Sequence, residues 1–228
     1  MMKKRNALLL SMCAVLLVAV SVVGTFAYLT DRDVVTNTFT VGAVGLSLDE
    51  AEVNLDGTYK NGHDTRVKGN AYKLIPGHTY YKDPTVTVDA GSEAAYVRMI
   101  VKVERIDQLK LALPYSEGSA YYSDDGNKTF LFQSLCGNWD SATWLYEGYT
   151  ESENGLDGYY EFRYKDIVAK SDNATVLDDL FETITIPGEV DNNNLTYLSN
   201  VKIVVNAHAI QADGFDTADL AWSAFGEN

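Results

Sequence analysis

The chain has 228 residues and a formal net charge of −14 at pH 7, with 32 acidic residues against 18 lysines and arginines. A strongly acidic chain repels nucleic acid and anionic lipid, so neither is expected as a partner. With only two cysteines, Cys13 and Cys136, a disulfide-rich scaffold is excluded as well.

The start of the chain has the pattern of an export signal. A basic stretch at positions 3–5 precedes an almost entirely apolar run over 7–23. Residues 25–27, Thr-Phe-Ala, then supply the small-x-small pattern that a signal peptidase requires. The apolar run approaches the ~20 residues that span a bilayer, but no basic stop-transfer cluster follows it. We therefore predict a cleavable signal helix that ends at Ala27, so that the exported chain begins at Tyr28 and only the signal contacts the membrane.

Cleavage at this point would change both charge and cysteine content. The removed segment carries three basic residues and no acidic one, so the formal net charge would go from −14 to −17. It also carries Cys13, which leaves Cys136 alone in the exported chain. An intramolecular disulfide is then impossible, and stability must come from core packing or assembly.

Residues 28–41 follow the cleavage point and are rich in threonine and valine. Val35, Phe39 and Val41 share one parity, which places them on the same face of an extended strand. Such a strand can add to the open edge of a neighbouring sheet, where main-chain hydrogen bonds bind and alternate side chains select. We predict these three residues as the anchors of a strand donor. The alternative is that the segment forms the first strand of its own sheet and the protein is a monomer.

Short strands are predicted along the rest of the chain. Apolar residues alternate with polar ones most clearly over 96–104, 159–165 and 201–209, and shorter strands are predicted over 43–48 and 85–89. These strands come without an alternating strand-helix-strand pattern. This combination predicts an all-β fold, an antiparallel sandwich, with residues 1–27 as the signal and 28–228 as one domain.

The connections carry turn, loop and helix signals. Residues 49–69 predict a polar loop, and 124–127, Asp-Asp-Gly-Asn, predict the turn of a hairpin whose second strand is 130–132. Residues 177–186 predict a helical turn followed by a strand, and 191–194 predict a loop. A capped helix that starts near Asp216 is predicted to end the chain, with three large apolar residues, Leu220, Trp222 and Phe225.

Three segments of the chain carry a family resemblance. They are Thr25-Phe26-Ala27-Tyr28-Leu29-Thr30-Asp31, Asn37-Thr38-Phe39-Thr40-Val41-Gly42 and Leu46-Ser47-Leu48-Asp49-Glu50. Together they resemble the head of the TasA/camelysin-like proteins, although Leu29 stands where that family commonly has Phe. The resemblance implies export through a SipW-type signal peptidase and a jelly-roll-type β-sandwich with short helices in its connections. It also implies a secreted protein of the biofilm matrix or cell surface, built into fibres by strand donation.

A catalytic site is not indicated by the residues. The three histidines, His63, His78 and His208, lie in no His-Glu-x-x-His arrangement, which would place two zinc ligands on one helix face. Cys136 has no evident paired base, so a small buried core residue is the favoured interpretation. We therefore predict no enzyme activity and no catalytic, cofactor or metal-binding residue, although camelysin-like proteins have been classed as metallopeptidases.

Calcium is the alternative to the prediction of no cofactor. Two groups of oxygen-bearing residues could attract it: Asp31 with Asp33, and Asp124 with Asp125 and Asn127. Neither matches an EF-hand loop, and a turn rich in Asp and Gly is usually only a turn.

Three functions are carried forward from the sequence. The preferred one is a secreted structural protein that assembles with itself or with related matrix subunits into fibres, or decorates them, in the extracellular matrix or on the cell surface. The second is a monomeric adhesin, with the aromatic residues between Trp139 and Tyr149 as a platform for a glycan. The third is a metallopeptidase of the camelysin type.

Overall fold

Three antiparallel sheets make up the part of the chain that the computed structural model describes, which is residues 30–33, 44–113, 116, 118–122 and 130–225. The strands are β1 (Thr30–Asp33), β2 (Leu46–Ala51), β3 (Arg66–Val67), β4 (Thr79–Tyr81), β5 (Thr85–Val88), β6 (Ala95–Glu104), β7 (Cys136–Gly137), β8 (Trp144–Glu151), β9 (Asp157–Tyr164), β10 (Thr175–Val176), β11 (Thr183–Thr185) and β12 (Lys202–Gln211). The helices are α1 (Ile106–Ala112), α2 (Phe130–Gln133), α3 (Asn192–Leu198) and α4 (Ala218–Phe225).

The five-stranded sheet has the order β1-β12-β6-β9-β8, and its centre is the pair β6 and β12. These two strands pair along their whole length, from Lys202 opposite Glu104 to Gln211 opposite Ala95. In β6, buried and half-buried positions alternate over all ten residues, as expected for one core face and one outer face. The strands predicted over 96–104, 159–165 and 201–209 are confirmed here.

A second sheet, β10-β5-β2-β3, faces the first across one hydrophobic core. Alternate residues of β2 and β5 point into this core and meet side chains from β6, β9 and β12. The core-facing residues include Leu46, Leu48, Val86, Val88, Val97, Met99, Val101, Tyr160, Phe162 and Val205. The prediction of an all-β fold with antiparallel sheets and short connecting helices is confirmed, and the shared core is consistent with a sandwich. The jelly-roll strand order stays a prediction.

The third sheet, β4-β11-β7, contributes Tyr80 and Ile184 to the shared core, and α4 covers part of the outer face of the five-stranded sheet. The prediction of a terminal helix is confirmed. Trp222 and Phe225 are buried and pack with Ile210, and the guanidinium of Arg98 lies 4.5 Å from the centre of the Trp222 ring. Leu220 is an exception, because it is exposed on the other side of the helix.

Four predictions for connecting segments are wrong, and three of them concern residues 130–132, 177–186 and 49–69. Residues 130–132, predicted as a strand, begin α2 instead. Leu131 and Phe132 on this helical turn are buried in the core. The helical turn predicted at the start of 177–186 does not form: residues 177–180 lie outside any helix, and β11 covers only Thr183–Thr185. In the segment 49–69, β2 runs on to Ala51 and β3 adds a second strand, so the predicted loop is shorter.

Residues 191–194, predicted as a loop, open α3 instead. The Asp191 carboxylate accepts hydrogen bonds from the backbone N–H groups of Asn193 and Asn194, at 2.9 and 2.8 Å. This satisfies two of the donors that the start of a helix leaves unpaired. Leu198 at the other end is buried and anchors the helix to the core. Three successive asparagines hid the cap in the sequence, because the same residue type also favours turns.

Among the described residues, no helix has both the length and the apolar character needed to cross a bilayer. The predicted signal helix lies outside these residues. The division into a signal over 1–27 and one domain over 28–228 stays a prediction.

Candidate functional site

The first element of the candidate site is the stretch 202–206 of β12, called the open edge here because no described strand pairs with it on the side of β1. β12 pairs with β6 along its whole length on one side, whereas on the other side β1 covers only Ala207 to Ile210. Among the described residues, positions 202–206 have no strand partner on that second side. Unpaired main-chain donors and acceptors at a sheet edge are a template for another strand.

A large groove lies directly beside this open edge. Its volume is about 1000 Å³, and it runs between β12, β2 and α3. Most of its lining is apolar, including Leu48, Phe132, Ile184, Leu198, Ile203 and Val205. A cavity of this size between two sheets would accommodate several large side chains. The groove and the open edge together form an extended site that offers main-chain hydrogen bonds above an apolar floor.

One end of the groove is polar. Glu50 stands on β2 with the same parity as Leu46 and Leu48, so its carboxylate points into the molecule. It accepts a hydrogen bond from the ammonium of Lys82 and another, at 2.8 Å, from the amide of Asn70. Asn70 also donates to the carbonyl of Ala51, at 2.9 Å. A charged pair at a buried position is thereby fixed in the wall of the groove.

Arg66 braces the wall of the groove from outside. Its guanidinium donates to Asp49 at 2.8 Å and to Asp83 at 2.6 Å, which ties β3, β2 and the start of β5 together. Burial lowers the pKa of Arg66, but the hydrogen bonds to the two carboxylates outweigh it and the pKa is raised. Arg66 therefore stays positively charged at any physiological pH.

Tyr72 also lines the groove and stays protonated. Burial, and then the negative charge of Glu50, raise the pKa of its hydroxyl well above the usual range. The hydroxyl donates to the carbonyl of Tyr81 at 3.1 Å. The groove thus contains, near its polar end, a tyrosine hydroxyl that stays protonated at neutral pH.

The residues predicted as functional from the sequence fall mainly outside the described part of the chain. This applies to the cleavage site Ala27 and Tyr28, and to the anchors Val35, Phe39 and Val41. The backbone of β1 is described, however, and it pairs with β12 of the same chain, with Asp33 opposite Ala207. The extended conformation predicted for 28–41 is therefore found over Thr30–Asp33.

No metal centre emerges from the described residues. Within residues 30–33, 44–113, 116, 118–122 and 130–225, no three His, Cys, Asp or Glu side chains come together as metal ligands would. Of the calcium candidates, Asp124, Asp125 and Asn127 lie outside these residues, and Asp31 and Asp33 are described only as backbone of β1.

Each histidine has a structural contact of its own. The His63 ring lies 3.6 Å from that of Tyr59, and His78 Nε2 lies 2.7 Å from the carbonyl oxygen of Asp56. His208 accepts a hydrogen bond from Arg98 and stacks on Phe225 under α4. Three histidines in different contacts do not form the ligand set of a metallopeptidase.

The aromatic residues considered as a glycan platform pack inward. Trp144 has no exposed surface, and its indole N–H donates to the carbonyl of Asp178 at 2.9 Å. Trp139 meets Phe162 edge to face with 5.1 Å between ring centres, and Tyr146 packs against the same ring. Trp144 belongs to the core and the Trp139 and Tyr146 rings are half-buried against it, so these three rings do not support the adhesin interpretation.

Cys136 opens β7 and packs against the core as a half-buried residue. Its thiol donates to the carbonyl of Phe132, with 3.5 Å between sulfur and oxygen. Burial raises the pKa of this thiol, and the nearby Lys82 ammonium lowers it by less. A thiol with a raised pKa is a poor nucleophile, because the thiolate is the reactive form.

We therefore expect Cys136 to react slowly with a thiol reagent in the folded protein. At pH 8, residues 28–228 should react at least tenfold more slowly in buffer than in urea, where the pKa of the thiol returns to about 8.5. The pKa of the Cys136 thiol is higher in the folded than in the unfolded chain. Its contribution to the free energy of unfolding is therefore complete below pH 8.5 and is lost as the pH rises above that value, because the unfolded chain then loses the proton first. Equal reaction rates of the Cys136 thiol in buffer and in urea would contradict its burial and raised pKa in the folded protein.

Comparison with known proteins adds one match. The family model of the camelysin metallo-endopeptidases matches residues 2–65, which include the three segments that carry the resemblance. The likeness to the TasA/camelysin-like family is thereby confirmed over the N-terminal part of the chain. No curated protein and no solved structure matches this chain.

The groove residues were missed by the sequence analysis. One signal was available: Glu50 has the parity of Leu46 and Leu48, so a charged side chain interrupts an apolar face. Asn70 and Lys82 gave no comparable signal, because both come from polar connections whose paths depend on the tertiary fold.

Proposed function

We propose that this protein is a secreted structural subunit of an extracellular matrix or cell surface, which assembles into fibres, or decorates them, by donating its N-terminal strand to the next subunit. Its partners are then further copies of itself or related matrix subunits, and a SipW-type signal peptidase frees the strand during export. The observation that carries the proposal is the open edge of β12 beside the apolar groove. The family likeness over residues 2–65 supports the same function.

The register of β1 on β12 links the groove to the predicted anchors. In this antiparallel pair each step forward on β1 is a step back on β12, from Thr30 opposite Ile210 to Asp33 opposite Ala207. A donated strand that kept this register would bring Val35 opposite Val205, which lines the groove. Directly opposite residues share a face of the sheet, so the proposed anchor Val35 would face the groove, and Phe39 and Val41 share its parity.

The strand beside β12 can come from the same chain or from a neighbour, because the contacts are the same in both cases. Donation from the neighbour is a domain swap, and head-to-tail addition that does not close on itself gives a filament. Before cleavage the segment is joined to the signal, whereas afterwards its end is free. In this proposal, assembly would begin only after export, when cleavage of the signal has freed the strand.

A metallopeptidase is the second candidate, because the matching family model carries that description. The histidine contacts above give it no ligand set among the described residues. Proteolysis by pure protein that a chelator abolishes, and that His63→Ala or His208→Ala removes, would establish it.

The proposal is tested by following assembly of residues 28–228 with a native N-terminus, using light scattering and negative-stain microscopy. Filaments are expected from this chain and monomers from a matched chain that lacks residues 28–41. If both remain monomeric across pH, salt and calcium concentrations, strand donation between subunits is wrong.

A further inference from the structure

Three side chains that can react with one another meet at the polar end of the groove. The Glu50 carboxylate accepts a hydrogen bond from the Lys82 ammonium on one oxygen and, at 2.8 Å, from the Asn70 amide on the other. One carboxylate therefore holds an amine beside a carboxamide. These are the two groups from which an amide bond between side chains can form.

The amine and the carboxylate lie where charges are unfavourable. Glu50 and Lys82 are 4% and 8% exposed, and the groove beside them is lined mostly by apolar residues. Removing two charges from water has a cost that their mutual attraction offsets only in part. Transfer of one proton from the ammonium to the carboxylate removes both charges together and leaves Lys82 with a neutral amine. A neutral amine has the free electron pair that a nucleophile needs.

The contacts of the Asn70 amide hold it in place as an electrophile. Its oxygen accepts a hydrogen bond from the backbone N–H of Val53 at 3.0 Å. Its nitrogen donates to Glu50 and to the carbonyl of Ala51, at 2.8 and 2.9 Å. A backbone N–H aimed at a carbonyl oxygen stabilises the negative charge that develops there when a nucleophile attacks the carbon. The Val53 N–H is in position to do this for Asn70.

The two segments that carry the reacting groups are already fixed side by side. Tyr72, two residues after Asn70, donates its hydroxyl hydrogen to the carbonyl of Tyr81, the residue before Lys82, at 3.1 Å. The flexible four-carbon stem of a lysine allows its nitrogen to move from the carboxylate to the neighbouring amide. Reaction requires the two reacting atoms to approach to about 3–3.5 Å.

We propose that Lys82 and Asn70 form an isopeptide bond, with Glu50 as the catalytic acid and base. The Lys82 nitrogen bonds to the side-chain carbonyl carbon of Asn70, and the bond from that carbon to the amide nitrogen breaks. Of its three protons the Lys82 nitrogen keeps one, and Glu50 passes the other two to the departing nitrogen. That nitrogen leaves as an ammonium ion, and Glu50 ends as the carboxylate that it was at the start.

The bond would make one wall of the groove covalent. It would join the connection after β3 to the connection between β4 and β5. A cross-link of this kind stabilises a fold as a disulfide does, mainly by restricting the unfolded chain. All three residues belong to one chain, so the reaction consumes no oxidant, cofactor or second subunit and does not depend on strand donation.

Mass spectrometry of residues 28–228 tests the proposal. After incubation at neutral pH, the intact chain is expected to be lighter than its sequence by one ammonia. Trypsin does not cleave after a lysine whose amine has become an amide. The digest should therefore contain residues 69–73 joined to residues 74–98, with no cleavage after Lys82. The joined peptide is decisive, because Asn61 and Asn154 precede glycines and could lose ammonia by closing on their own backbone.

Three variants separate the roles of the residues. Glu50→Gln keeps the size of the side chain but cannot shuttle protons, and it should slow formation of the bond about a hundredfold, as expected for loss of a general acid–base catalyst. Lys82→Met and Asn70→Ser each remove one reacting group and should abolish both the mass loss and the joined peptide. Circular dichroism shows that each variant is folded.

Lys60 is a control within the same chain. Its ammonium lies 2.6 Å from a Glu52 carboxylate oxygen, but the Lys60 side chain is 51% exposed. Water stabilises a charged ammonium at such a position, so trypsin should cleave after Lys60 in every sample.

Two results would overturn the proposal. A natural chain of full sequence mass that releases free residues 69–73 excludes the bond, and a bond that forms at the natural rate in Glu50→Gln excludes Glu50 as its catalyst. If Glu50→Gln does not fold, the natural chain still decides whether the bond exists. Assembly is measured separately, so a chain that forms the bond but no filaments contradicts strand donation alone.

Discussion

Replacing Trp144 with alanine is expected to lower the free energy of unfolding by about 3–5 kcal/mol, the usual range for truncating a fully buried large aromatic residue. Trp144 has no exposed surface and packs edge to face on Tyr164, with 5.1 Å between ring centres. The change would leave a cavity and would also deprive the Asp178 carbonyl of its indole donor. Urea unfolding followed by circular dichroism measures the effect.

Leu145→Ala is the control for this prediction, because Leu145 is the next residue on β8 and is 40% exposed. We expect it to cost well under half as much. The comparison also bears on function. In the adhesin interpretation Trp144→Ala removes binding without loss of fold, so a loss of stability below about 1 kcal/mol, the ordinary scale for exposed positions, would reopen that interpretation.

The variant Ile203→Lys is expected to block assembly. Ile203 is half-buried on β12 at the unpaired part of the edge, and it lines the groove. A lysine at this position places a charge in the apolar floor that an incoming strand would have to cover, and burying an unpaired charge is strongly unfavourable. The half-assembly concentration, followed by light scattering, should rise at least tenfold.

Ile167→Lys is the matched control, because Ile167 is 50% exposed after the end of β9. It makes the same change of charge at a site away from the groove. Assembly that responds equally to both variants would point to net charge as the cause and would contradict a specific role for the groove.

The sequence predicts the centre of the fold better than its connections. Strands β6, β9 and β12 have a strict alternation of core and outer residues, and periodicity of this kind is local information that survives without knowledge of the partner strand. The segment 130–132 has no such alternation, because three apolar residues in a row fit either a strand or a buried helical turn. Its secondary structure is decided by packing in the core, which depends on the whole chain.

The candidate site was predictable in one half only. The proposed donor segment is continuous in sequence, so its parity and its position after a predicted cleavage motif could be recognised directly. The proposed acceptor is assembled from Leu48 and Glu50 on β2, Lys82 between β4 and β5, and Val205 on β12. Sequence periodicity does not show which strands become neighbours, and therefore could not place the groove.

The structure and the family likeness support different parts of the account. The match over residues 2–65 supports the likeness to the TasA/camelysin-like family. The proposed acceptor was found from the open edge of β12 and the groove beside it, and most of the groove residues lie beyond the matched range. Arg66 and the charged pair of Glu50 and Lys82 give that groove a fixed wall before any strand arrives.

The central claim is that the strand beside β12 passes between subunits, and disulfide trapping at a known register position tests it most directly. Arg32 lies opposite His208 in the pairing of β1 with β12. In a background of Cys136→Ser, residues 28–228 with Arg32→Cys and residues 28–228 with His208→Cys are mixed, allowed to assemble and oxidised. A disulfide-linked dimer of the two different chains is predicted. Fibres that form without this dimer, while a single chain carrying both cysteines closes an internal disulfide, would contradict strand donation.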